Sequence, residues 1–186
     1  ILTTDTFAKE GFAEFRADYK KIRMAGIAKG SGMIHPNMGT MLGFIVCDLN
    51  IDSKLIDKAL KEITEDTFNM ITVDGDTSTN DTVMVMCNGA AGNNRITSEK
   101  DKNYLKFYEK LKELCLHLAQ LIVSDGEGAT KMVEYQVTGA KSKEDARRAV
   151  RTISDSSLVK TAIYGRDPNW GRIIAAAGRS GAEFNP

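Results

Sequence analysis

At Thr40 the chain changes character. Lys29-Gly-Ser-Gly-Met-Ile-His-Pro-Asn-Met-Gly39 is punctuated by glycine and proline, whereas Met41-Leu-Gly-Phe-Ile-Val-Cys47 is an almost unbroken apolar run. A short apolar run bounded by turn residues reads as a buried strand. The sequence therefore predicts a turn-rich loop that delivers a hydroxyl to the start of a central strand. The preceding residue, Gly39, has no side chain, so another group can approach its carbonyl and its backbone can adopt dihedrals closed to other residues. Such a junction suits backbone chemistry. It equally suits a structural threonine, because threonine is an ordinary strand former.

The flanking segments build around that strand. Ile1-Leu-Thr-Thr-Asp-Thr6 begins as strand and ends in a turn, and residues 19–28 alternate as a half-buried strand ending at Lys29. Lys29-Gly-Ser-Gly32 is not a phosphate loop, which needs its lysine after the glycines and directly before Ser or Thr. Downstream, Ile51, Leu55, Ile56, Ala59, Leu60 and Ile63 fall at helical spacing, with Asp52 or Ser53 as N-cap. Phe68 to Val73 and Thr82 to Cys87 read as strands around the Asp74–Asp81 loop. Counted as a calcium loop from Asp74, that segment has Thr79 and Val85 where Gly and Glu are required, so a turn capped by its own side chains is expected and no metal site.

A long amphipathic helix is predicted from Ser98 to about Val123, with His117 on its face. It leads into Ser124-Asp-Gly-Glu-Gly-Ala-Thr-Lys131, a turn that carries Glu127 between two glycines, and then a strand over Met132–Thr138. Ser142-Lys-Glu-Asp145 matches a capping box opening a helix through about Ile153. Ser157–Tyr164 suits a strand or a buried helix, and Ile173–Gly178 a small-residue helix. Strands and helices interleave without a strict strand-helix-strand repeat. The expected fold is α+β, a layered α/β/β/α-type sandwich with mostly antiparallel sheets, incomplete in this chain. No internal boundary is legible, and the start at Ile1 suggests a piece of something longer.

Composition narrows the function. The 186 residues are 42% hydrophobic, enough for a real core, and the 25 Lys+Arg balance 25 Asp+Glu. That balance offers no basic field for nucleic acid and favours a small charged metabolite. Cys47, Cys87 and Cys115 are odd in number, widely spaced and set among apolar residues, as in reduced core cysteines of a cytoplasmic protein. No apolar run is long enough to span a membrane.

Four segments in one order carry a resemblance: Lys29–Thr40, Val73-Asp-Gly-Asp-Thr-Ser-Thr-Asn-Asp81, Asp125-Gly-Glu-Gly-Ala-Thr-Lys131 and Gly165-Arg-Asp-Pro-Asn-Trp-Gly-Arg-Ile173. Together they resemble the ornithine acetyltransferase family, the glutamate N-acetyltransferases of arginine biosynthesis. The resemblance implies a precursor that cleaves itself between Gly39 and Thr40, leaving 1–39 as the end of a first chain and 40–186 as the start of a second. One partial catalytic domain would thus be shared between two chains. Thr40 would be the nucleophile that carries the acetyl group from N-acetylornithine to glutamate. Substrate binding maps onto Thr3, Lys29, Thr40 and Glu127. No cofactor is implied, acetyl-coenzyme A being a candidate second donor, and the implied assembly is an α2β2 heterotetramer.

The family's oxyanion-hole Thr-Gly pair and its last substrate-contacting residues map outside this sequence. Family members commonly carry Ala where this chain has Gly39, a departure that bears on cleavage efficiency more than on its position. Two other classes share parts of the pattern. A self-processing amidohydrolase or aminopeptidase would pass the acyl group to water, and a binding domain would use Thr40 only structurally.

Overall fold

The computed structural model describes residues 1–35, 41–76 and 79–183. They form two compact units, Ile1–Glu127 and Gly128–Pro186.

The first unit is built on a four-stranded sheet. Its strands β1 (Lys9–Ala17), β2 (Lys20–Lys29) and β3 (Leu42–Cys47) pair antiparallel in that order, and β4 (Thr82–Cys87) adds parallel to β3. Parallel neighbours need a crossover, and helix α1 (Ser53–Asp66) lies in the connection. Its N-cap is Asp52, whose carboxylate accepts the Lys54 N–H at 2.9 Å. Helix α2 (Lys102–Ser124) follows β4; it starts four residues after the predicted Ser98, because Asp101 is the cap.

Strand β1 escaped the sequence reading for a physical reason. Its inward positions are Lys9, Gly11, Ala13, Phe15 and Ala17, while Phe12 faces outward and is 62% exposed, so hydrophobicity does not alternate as burial does. The β1–β2 turn is made by Asp18 and Tyr19 with φ of 48° and 65°. Two positive φ values give the turn type whose twist suits a tight hairpin. Asp18 is held there by the Asn94 N–H at 3.1 Å and the Asn103 side-chain amide at 3.0 Å.

Both helices cover one face of the sheet. Ile22, Met24, Ala28 and Ile45 meet Leu55, Ala59 and Ile63 of α1 and Phe107, Leu111, Leu114, Leu118 and Ile122 of α2 in one core. Gly11 and Gly26 are cross-strand partners beneath α2. A Cβ on Gly11 would lie 2.6 Å from Leu114 Cδ1, and one on Gly26 2.9 Å from Leu118 Cδ1. Two facing glycines thus let the helix settle close onto the sheet. The opposite face carries Phe12, Ile27, Val46, Met84 and Met86, all substantially exposed. The α+β class is as expected, and its described residues supply one sheet with its helical layer.

Two predicted strands differ. Phe68–Met70 is a turn of 3₁₀ helix. Thr67 Oγ1 donates to Ile63 O at 2.7 Å, closing the end of α1, and Phe68 drops fully into the core. Met132–Thr138 carries no ladder among the described residues. The alternating sequence is suited to pairing, and a strand exists only when a neighbour takes its N–H and C=O groups.

The second unit is helical: α3 (Lys143–Ser154), α4 (Ser157–Tyr164) and α5 (Trp170–Gly178). Ser142, Ser156 and Asn169 cap them, Ser142 through the Asp145 N–H as the capping box requires. Ile153, Val159 and Ala176 form a small core with Tyr135, Ile163 and Ala177. Of the two conformations open to 157–164, the helix is the one adopted.

None of the three cysteines is in a disulfide, and Cys47 and Cys115 are buried. No helix among the described residues is long and apolar enough to cross a membrane.

Candidate functional site

The site is built where β2 ends. Lys29, 7% exposed, is the last residue of β2 and pairs in register with Leu42, the first residue of β3. Beyond it the chain must turn sharply: Gly30 has φ of 149° and a Cβ there would meet Ile34 Cδ1 at 2.9 Å. Ser31 then joins this turn to the one after α2. Its carbonyl accepts the Glu127 N–H at 2.8 Å, and its hydroxyl donates to Asp125 O at 2.7 Å. The Glu127 carboxylate lies over Gly32, where a Cβ would come within 2.6 Å of Oε2. A side chain at position 32 would displace the carboxylate, so this glycine has a specific task.

Thr3 joins from the N-terminal segment. Lys29 Nζ donates to Thr3 Oγ1 at 3.4 Å, long for a bond from an ammonium. The Thr3 N–H is given to Asp5 Oδ2 at 3.2 Å, and the Gly30 N–H to Asp5 Oδ1 at 2.8 Å. Thr3, Lys29 and Glu127 are therefore brought together around one pair of turns. The segment Ile1–Thr6, expected to start as strand, is instead irregular and held by these side-chain bonds.

Gly39 and Thr40 lie outside the described residues. The chain resumes at Met41, whose N–H is taken by Asp81 Oδ1 at 2.5 Å, while Met41 O accepts the Thr82 N–H at 2.9 Å. Asp81 Oδ2 is buried with no hydrogen-bond partner among the described residues. Burial pushes the Asp81 carboxyl above the usual range, against the lowering effect of the Met41 N–H. Asp74 anchors the other side of the same region. Its carboxylate accepts the N–H groups of Met33 at 2.6 Å and Ile34 at 3.1 Å, as well as that of Asp76. Asp74 thus caps the start of its own loop through Asp76 and ties that loop to Met33 and Ile34, while Thr77 and Ser78 lie outside the described residues. His117 sits on α2 with Nε2 3.3 Å from Glu10 O, away from these turns.

A model of one family, the ArgJ family, matches residues 1–186, every position of the sequence. The chain belongs to the ArgJ family. It is 53% identical over its full length to the arginine biosynthesis bifunctional protein ArgJ of Geobacillus stearothermophilus, of which it covers 45%. It is 51% identical, again over its full length, to the protein of the same name from Symbiobacterium thermophilum, covering 46% of it. The chain therefore spans less than half the length of these curated ArgJ relatives. A crystal structure of the ArgJ protein of Bacillus halodurans superposes with a TM-score of 0.73 at 52% identity, covering 76% of this chain and 66% of that one. The ArgJ family is the ornithine acetyltransferase family whose four motifs the sequence carries.

In this ArgJ-family chain, the residues that sequence reasoning missed are those that hold the site rather than face it. Asp5, Ser31 and Asp81 bond candidate residues or their immediate neighbours, and Lys9 and Asp125 bond Asp5 and Ser31 behind them. Lys9 stands at an inward position of β1, where a charge needs partners, but the sequence does not show that position because β1 itself is not legible there.

Proposed function

We propose that the protein transfers the acetyl group of N-acetylornithine to glutamate through an acetyl-Thr40 intermediate, after cleaving its own Gly39–Thr40 bond. The observation that carries this reading is the meeting of Thr3, Lys29 and Glu127 on turns beside the start of β3, two residues after Thr40. The names of the relatives, bifunctional proteins of arginine biosynthesis, agree with it.

In the processing step Thr40 Oγ attacks the Gly39 carbonyl carbon, the C–N bond breaks, and the acyl group moves to oxygen as an ester. Water hydrolyses that ester, giving a Gly39 carboxylate and a free Thr40 α-amine. An α-amino group titrates near about 7.7–8.0 when unperturbed, so around neutral pH it can take the proton of its own hydroxyl. In the transfer, Thr40 Oγ attacks the acetyl carbonyl, the bond from the acetyl carbon to the α-nitrogen of ornithine breaks, and that nitrogen leaves with a proton delivered by the Thr40 α-ammonium. Glutamate's amine then attacks the threonine ester and Thr40 Oγ regains its proton. Lys29 and Glu127 hold the substrates' carboxylate and ammonium by opposite charge, with the Thr3 hydroxyl beside Lys29. Acetyl-coenzyme A is proposed as a second acetyl donor, its thiolate being the leaving group. The cleaved chains assemble as an α2β2 heterotetramer in the cytoplasm.

Initial-rate kinetics on the complete protein test the transfer. One hydroxyl serving donor and acceptor in turn gives parallel double-reciprocal lines. Intersecting lines mean direct transfer between two bound substrates. Acetate release at the same rate with and without glutamate would assign the site to an amidohydrolase instead.

A further inference from the structure

We propose that Lys9, Asp5 and Asp125 form a buried clamp that sets the spacing between the two halves of the substrate site, and that all three are positioning residues. This inference rests on the proposed transfer for its kinetic consequences, though not for its structural one.

Lys9 is 1% exposed, and its ammonium reaches Asp5 Oδ1 at 2.6 Å and Asp125 Oδ2 at 2.5 Å. The Phe7 ring covers it, with its centroid 5.0 Å from Nζ. The Asp5 and Lys9 side chains have no exposed surface and that of Asp125 is 3% exposed. Three charges are thus out of water, although Lys9 occupies an inward strand position where an aliphatic residue would pack. A buried ion pair is weak evidence for stability, because desolvation cancels much of the attraction. What this one does is geometric.

The Asp5 carboxylate spends its remaining acceptor capacity on the Thr3–Lys29 half of the site, whereas the Asp125 carboxylate holds Thr6 and the Asp125 main chain reaches the Glu127 half. Asp5 takes the Thr3 N–H and the Gly30 N–H, fixing Thr3 against the end of the strand that carries Lys29. Asp125 takes the Thr6 N–H at 2.9 Å and the Thr6 hydroxyl, and its carbonyl takes the Ser31 hydroxyl, two residues before Glu127. Among the described residues, Lys9 is the group that bonds both carboxylates. Moving it moves the Thr3–Lys29 half relative to the Glu127 half. Thr40 is reached through neither carboxylate's described bonds, so binding should suffer more than chemistry.

The test uses the complete protein with Asp125→Asn, which keeps shape and acceptor oxygen but removes the charge facing Lys9. Amide hydrogen exchange is followed residue by residue at Thr3, Thr6, Gly30 and Ser31, by NMR or by gas-phase fragmentation of the peptides that cover them. A clamp carries the disturbance through Lys9, so exchange accelerates at Thr3 and Gly30, which Asp125 does not touch. Acceleration confined to Thr6 and Ser31, with Thr3 and Gly30 as in the parent, overturns the clamp. This readout stands whether or not the protein transfers acetyl groups; a parent protein that exchanges as expected but transfers nothing sinks the functional reading alone.

In the kinetic arm, the donor KM of Asp125→Asn rises about tenfold while kcat falls less than about threefold. Equal KM and kcat in a destabilised variant would reduce the trio to a structural role. Thr6→Val removes one exposed hydroxyl from Asp125 and leaves the buried charges intact, so it folds even if Asp125→Asn does not. It is expected to raise KM about two- to threefold at unchanged kcat, and a parent KM in that variant also counts against the clamp.

Discussion

Lys29 is an ammonium at 7% exposure whose hydrogen bond to the Thr3 hydroxyl is 3.4 Å long. In the proposed function this charge takes a substrate carboxylate, and its opposite number, Glu127, lies over Gly32. Lys29→Met and Glu127→Gln keep approximate size and remove the charge. Each is expected to fold and to lose about 2–5 kcal/mol of kcat/KM for donor and acceptor alike, the cost of stranding a substrate charge in a partly desolvated site. Lys29→Met is expected still to cleave at Gly39–Thr40, since the proposed processing step binds no amino acid. Parent transfer rates in either variant would return the residue to a strand-end charge.

Asp5 supplies a prediction on pH. Burial opposes its ionisation, yet the Gly30 N–H, the Lys9 ammonium and the Thr3 N–H outweigh it and hold the carboxyl at about 2. An unfolded Asp titrates near about 3.9, so the folded state binds fewer protons than the unfolded state between these values. Stability from this group is present above about pH 4 and is lost as pH falls through about 2. Burial likewise opposes ionisation of Asp125, and the Lys9 and Thr6 bonds lower its carboxyl in the same sense. Denaturant unfolding from pH 5 to pH 2 should therefore show an acid limb that is shallower in Asp5→Asn. An identical limb in the variant would mean that other carboxylates govern acid unfolding.

Among elements, the facing glycines beneath α2 decide how closely helix and sheet approach. Gly26→Val places methyls where Leu118 Cδ1 and Ile45 Cγ1 already stand 2.9 and 3.2 Å from a Cβ. The overpacking is expected to cost about 1–3 kcal/mol in equilibrium unfolding, and Gly26→Ala less because the nearest atom is the tip of a leucine. A neutral Gly26→Val would show that α2 does not depend on this gap.

Elements whose physics is local were legible in the sequence. α1, α2 and α3 carry capping residues and one apolar face, and each forms within a few residues of its predicted bounds. β2, β3 and β4 are apolar enough to read directly. Those that depend on distant partners were not. β1 buries a lysine and a glycine because Asp125 and α2 lie beneath it, and Phe68 turns inward because α1 has just ended. The site divides in the same way: Lys29 and Glu127 stand in recognisable motifs, whereas the parts of Lys9 and Asp125 emerge only when residues 116 positions apart meet. The boundary at Glu127 had no composition shift to mark it, and Gly128, with φ of 71°, is its backbone trace.

For the molecule as a whole, the chain is a full-length match to a family model while spanning less than half of each curated relative. The central claim of the proposed function is that its chemistry passes through Thr40. Peptide mass mapping of the complete protein, after exposure to N-acetylornithine without glutamate, tests that claim most directly. The account predicts a new N-terminus at Thr40, an added acetyl on the peptide that begins there, loss of that acetyl when glutamate is added, and neither cleavage nor acetylation in Thr40→Ala. An active protein with an intact Gly39–Thr40 bond, or an acetyl group carried on any other residue, would contradict it.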